Sequence, residues 1–174
     1  PEALFELGRS YAVREDDDNA FKCFEKVSQT VKDSTYVARA YIEMGMLARN
    51  QSMFNEALGY YKIVVEQMPY SEYADDALLA VESIYQTKND PQEYLAYIKD
   101  NDNVFTVLNG DMMDAAIQSS IGDTYGASLQ PMEQLAQCVK IFEPIKDKIL
   151  AVLPGNHESR VYKSDGLDIT EIMC

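Results

Sequence analysis

The chain has 174 residues, 47% of them hydrophobic, which is enough for one full domain or two small ones with a buried core. Its 29 acidic residues outnumber 15 basic ones, giving a formal charge of -14 that is shared equally between residues 1–99 and 100–174. Without clustered lysine and arginine, nucleic acid and anionic membrane are excluded as partners.

The cysteines Cys23, Cys138 and Cys174 are odd in number and widely spaced. They form neither a disulfide framework nor a zinc knuckle, so the cytoplasm or another reducing compartment is expected. No apolar run approaches the roughly 18 residues of a membrane span, and no basic-then-apolar signal opens the chain. Pro1 and the helix-like ITEIMC read as cut ends, and a fragment or a fusion is expected.

The first hundred residues repeat. Gly8 recurs as Gly45, Ala20 as Ala57, Phe24 as Tyr61, and Tyr11 as Ala48 and Tyr85, each step being 37 positions. Apolar residues at three- and four-residue spacing in FELGRSYAV and EALGYYKIVV predict helices with one buried stripe. Helices are expected near 2–13, 17–30, 35–49, 53–67, 72–86 and 91–99. Asp17 and Asp18 are expected to cap the second, Ser71 to begin the fifth, and Asp90-Pro91 to open the sixth. Small residues at positions 8, 20, 45 and 57 let paired helices approach, and the aromatics fill the space between hairpins.

LFELGRSY, NAFKCFEKV, IEMGMLA, EALGYYKIVVEQMP and ALLAVESIY resemble the Leu-Gly-x-x-Tyr, Ala, aromatic, Pro pattern of tetratricopeptide repeats (TPR), helix-turn-helix units of about 34 residues. The resemblance covers residues 1–98 and implies an all-α solenoid of three helical hairpins, a scaffold for protein-protein interaction. The third repeat departs from the pattern, with Glu82 where the others carry glycine and Tyr94 where they carry alanine. In the family, the first helix of each hairpin lines a groove for a peptide or protein partner. By the resemblance Arg9, Arg39 and Arg49, beside Asn50, would face that groove, and arginine forks favour an acidic partner. The alternative is that these arginines pair with Glu6, Glu43 and Glu72 on a solvated surface.

After residue 98 the pattern changes. VFTVL and ILAVL are β-branched and aromatic runs, followed by Asn109-Gly110-Asp111 and Pro154-Gly155-Asn156-His157. Between them lie DAAIQSSI, a loop GDTYGASLQ, and a helix from Pro131 through PMEQLAQCVKIFEPI. Residues 99–174 are therefore expected to form a small α/β segment with two short buried strands in a βαβ unit, its ligands at the carboxyl ends of the strands. Helices continuing the solenoid are the alternative. Open edges on so short a sheet favour self-association.

GDMMD (110–114) and GNHE (155–158) together resemble two signature blocks of calcineurin-like metallophosphoesterases, over about residues 94–174. The resemblance implies a hydrolase of phosphate esters with two divalent metals, manganese, iron or zinc, about 4 Å apart. Asp111 would bridge them, Asn156 would ligate one, and His157 would assist the leaving alkoxide or steady the phosphoryl group. The family also needs an upstream Asp-x-His and several later histidines, whereas this chain has one histidine. An interaction scaffold carrying an incomplete, inactive phosphoesterase segment is therefore expected. The rival is a metal-dependent phosphoesterase whose missing ligands lie outside the chain.

Overall fold

The computed structural model describes residues 1–113, 129 and 131–173. The expected segments DAAIQSSI and, apart from Leu129, GDTYGASLQ lie outside the described residues, as do Asp114 of GDMMD and Cys174. The chain divides into two compact units, Pro1–Tyr94 and Leu95–Cys174.

The first unit is helical: α1 (Glu2–Val13), α2 (Asp17–Thr30), α3 (Ser34–Asn50), α4 (Phe54–Gln67), α5 (Ala74–Lys88) and the start of α6 (Pro91–Asp100), within which the division falls. Each helix from α1 to α4 packs on the next, and α1 also touches α3. The first core gathers Phe5, Ala20, Phe24, Val27, Ala40, Met44 and Leu47. Phe5 and Phe24 meet with ring centroids 5.4 Å apart. Each such side chain contributes about 1.5–3 kcal/mol by leaving water. The next layers bury Ala57, Tyr61 and Val64, then Ala77, Val81 and Ile84.

The residues that open the helices differ from expectation at two places, although α2 itself spans Asp17–Thr30 as expected. Asp16, one residue ahead of Asp17 and Asp18, caps α2, its Oδ1 accepting the Asn19 N–H at 3.3 Å. The reason lies in the preceding turn, where Glu15 adopts φ 59° and sets Asp16 at the helix entrance. Ser71 does not begin α5: its Oγ accepts the Tyr73 N–H at 3.3 Å, which forms a turn, and the helix starts at Ala74. Asp90 does cap α6, accepting from Glu93 N–H at 3.0 Å.

The second unit holds β1 (Thr106–Asn109), α7 (Pro131–Phe142), a 3-10 turn Glu143–Lys148, β2 (Ile149–Leu153), α8 (Asn156–Asp165) and α9 (Ile169–Met173). The strands pair in parallel, Val107 opposite Ala151 and Asn109 opposite Leu153, with an irregularity between Thr106 and Val107. A core of Met113, Leu135, Cys138, Val161 and Ile169 joins the turn after β1 to α7, α8 and α9.

The strands are not buried as expected. Leu108 is covered, but Leu150 is 69% exposed and Val107 and Leu153 are each 46% exposed. A parallel strand is buried throughout only when layers cover both faces of its sheet. Here only Leu108 is buried in β1, and β2 exposes Leu150, Ala151 and Leu153 while half-burying Ile149 and Val152, so its exposed residues fall on both faces.

Candidate functional site

Two places gather the residues that the sequence singles out. The first lies where β1 and β2 end. Gly110 leaves β1 with φ 66° and Asp111 follows with φ 50°, so the chain makes two consecutive left-handed steps. Backbone meets backbone there: a methyl on Gly110 would collide with the N and Cα of Gly155, and one on Gly155 with the N and carboxyl of Asp111. Both positions admit only glycine.

Gly155 is the N-cap of α8 and has no side chain with which to cap it. Asp111 supplies the acceptor instead, its Oδ1 taking the His157 N–H at 3.0 Å. The negative charge also suits the positive end of the helix. Glu158, buried at 2% exposure, closes the arrangement. Its Oε2 accepts the N–H of Asp111 at 2.9 Å and of Gly155 at 3.0 Å, while Oε1 accepts the N–H of Met112 at 2.9 Å. Four backbone donors from both loops therefore end on two carboxylates.

Asn156 is exposed at the first position of α8, and His157 is half-buried, its ring Nδ1 screened from solvent. Beneath the loops the Cys138 thiol donates to Met112 O at 3.2 Å. Burial, and then the negative Glu158, push that thiol above its ordinary pKa, which keeps it unreactive.

The structure thus brings Asp111, Asn156 and His157 to one place at the carboxyl ends of two parallel strands. Among the described residues they gain no donor set for two metals. Asp111 Oδ1 is taken by a backbone N–H and both Glu158 oxygens by three more. Among the described residues no group of three or more His, Cys, Asp or Glu side chains is placed to hold a metal ion. The described residues do not fit a two-metal centre.

Glu158 has no role in the sequence reading beyond its place in GNHE. The signal that could have found it is its spacing, because a glutamate three residues past a helix cap is positioned to reach back to the cap's N–H.

The second place is the side of the first unit where α1, α3 and α5 approach. Arg9 lies 3.6 Å from Glu6 and 4.0 Å from Glu43. Arg49 donates to Ser83 Oγ at 3.1 Å, and Asn50 is exposed at the end of α3. Arg39 is different. Its guanidinium lies over the Phe5 ring, 4.2 Å from the centroid, and 5.6 Å from that of Tyr36. No hydrogen bond or ion pair is made by its N–H groups among the described residues. Glu43 sits beside it. Burial raises that carboxyl above the usual range, against the opposing pull of Arg9 and Arg39. Glu72 forms no ion pair with these three arginines among the described residues.

Among the described residues, no helix is long and apolar enough to cross a membrane. Comparison with known proteins adds no relative: no family model, no curated protein and no solved structure matches this chain.

Proposed function

We propose that the helical unit is a protein-interaction module of tetratricopeptide type, which takes an acidic peptide across α1 and α3 with Arg39 as its anchor. The observation that supports this is the position of the Arg39 guanidinium over the Phe5 ring, 4.2 Å from its centroid. The ring attracts the cation without engaging its N–H donors, which make no hydrogen bond among the described residues and suit bidentate capture of a carboxylate. Arg9 assists, since its contacts with Glu6 and Glu43 are long and half-exposed and cost little to exchange. Arg49 and Asn50 extend the same row toward α5.

The test is a labelled octapeptide library, acidic members against lysine counterparts, read by fluorescence anisotropy. Acidic members bind, their affinity falls with salt, and Arg39→Ala weakens them about tenfold, the loss expected of a charge-assisted fork. Arg39→Lys recovers only part, because an ammonium keeps the charge and loses the planar fork. Binding that ignores Arg39→Ala, or a library with no acidic binder, overturns the reading.

The second reading, a metal-dependent phosphoesterase completed by ligands from outside the chain, keeps the meeting of Asp111 with the Asn156-His157 pair in its favour. It requires metal-dependent turnover that survives purification and disappears in both Asp111→Asn and His157→Ala. The carboxylate commitments described above argue against it.

A further inference from the structure

We infer that the loops closing β1 and β2 are assembled by a carboxylate clasp, Asp111 and Glu158, that works without metal. Asp111 thereby acts as the cap of α8 and not as a metal bridge. The clasp does not depend on what the helical unit binds.

The two loops lie 46 and 47 positions apart at their hydrogen bonds, and each brings N–H groups that no strand partner satisfies. Three of these converge on Glu158, which makes no ion pair among the described residues and is buried at 2% exposure. A carboxylate has acceptors only, so donors on both oxygens suit the ionised side chain. The start of α8 adds a favourable field. The fourth N–H, of His157, takes Asp111 Oδ1 because Gly155 has no side chain to offer. Gly155 cannot gain one, since a Cβ would fall on Asp111 itself. Glycine at the cap therefore makes room, and the neighbouring loop's aspartate performs the capping.

Replacing the metals of a phosphoesterase by this clasp leaves a specific signature. Asparagine at 111 keeps one acceptor oxygen and tolerates φ 50° as aspartate does. A cap therefore survives Asp111→Asn, whereas a bridging ligand does not.

The experiment is amide exchange by NMR on the isotope-labelled full chain, in chelator and then in saturating manganese or zinc. The N–H groups of Asp111, Met112, Gly155 and His157 are expected to be protected in chelator and unchanged by either metal. Glu158→Ala speeds exchange at Asp111, Met112 and Gly155 about tenfold or more, and Glu158→Gln, with one acceptor oxygen left, falls between. Should both variants unfold the unit, position 111 still decides: Asp111→Asn keeps His157 N–H protected and Asp111→Ala exposes it. Protection that appears only when metal is added, saturably, and is lost in Asp111→Asn overturns the clasp and restores the metal site.

Discussion

The Tyr61 ring lies directly against Gly45, so close that a Cβ at Gly45 would stand 2.6 Å from its Cε1 and Cζ. Phe24 stands in the same relation to Gly8, where the nearest ring carbon would be 2.7 Å away. Gly45→Ala is therefore expected to destabilise the helical unit. Overpacking costs about 1–3 kcal/mol, and the gain in helix propensity, about 1 kcal/mol, offsets only part. Gly59→Ala is the control, because that glycine, also inside a helix, has nothing within 4 Å of its added methyl. It should stabilise by about 0.5–1 kcal/mol. Urea unfolding followed by helical circular dichroism checks both. Equal shifts of the same sign would show that the rings do not pack on the glycines in this way.

The 37-residue period is legible because that packing recurs with it: a close helix crossing needs a small residue, and the ring that fills it must come from the partner helix at a fixed offset. The cap of α2 is less legible. Asp16, Asp17 and Asp18 are equally able to cap on chemistry, and the choice depends on the turn at Glu15. ILAVL reads as a strand from its β-branched residues, but nothing in five apolar residues states how many layers cover them, and Leu150 and Leu153 are largely exposed. At the strand-end site GDMMD and GNHE bring the correct loops together. What the motifs leave unstated is the use of their atoms. Whether a carboxylate faces a metal or the N–H of a residue 46 positions away is a property of the assembled backbone.

Glu82 and Tyr94, where the chain departs from the repeat pattern, interact electrostatically. Tyr94 packs on Tyr85 with centroids 5.5 Å apart, and burial, aided by the negative Glu82, pushes its phenol up to about 12. A folded-state pKa above the unfolded value near 10 means the folded chain holds the proton longer. Stability associated with Tyr94 is then complete below about pH 10 and is lost as pH rises through about 12. Wild type should lose more stability than Tyr94→Phe across that window, by at most about 2–3 kcal/mol. Denaturant melts at both ends of the window measure it. Parallel losses in the two proteins would show that Tyr94 is not held neutral.

Glu43 supplies a prediction that couples stability to binding. Its carboxyl is raised first by burial, with Arg9 and Arg39 opposing, so the ionised form is disfavoured in the folded unit. The stability linked to Glu43 therefore rises as pH falls through the carboxylate range, and Glu43→Gln should leave the melting temperature at neutral pH unchanged or slightly higher. The same change removes a competitor for Arg9 and Arg39. Acidic octapeptides should bind several-fold more tightly to Glu43→Gln, with a steeper salt dependence. Weaker binding in this variant would mean that Glu43 orders the arginines and does not compete with a ligand.

Gly155 gives the sharpest test of the strand-end loops, because its missing side chain is what lets Asp111 reach α8. In Gly155→Ala the added methyl falls on the N and carboxyl of Asp111, which are backbone and a short side chain pinned by hydrogen bonds and cannot swing aside. Relief requires parting the loops, which breaks the bonds to Glu158 as well. The cost should be about 3 kcal/mol or more, from overpacking together with lost bonds to a charged acceptor. Gly166→Ala offers a comparison in the same unit: that glycine also has positive φ, 69°, but its methyl would meet nothing within 4 Å. Its cost is the backbone strain alone, on the order of 1 kcal/mol. Mass-spectrometric hydrogen exchange over residues 104–113 and 149–162 distinguishes the two substitutions. Gly155→Ala should deprotect both segments at once, because they share the clasp, whereas Gly166→Ala should leave the first untouched. If Gly155→Ala loosened only its own loop, Asp111 and Glu158 would not be holding the two together.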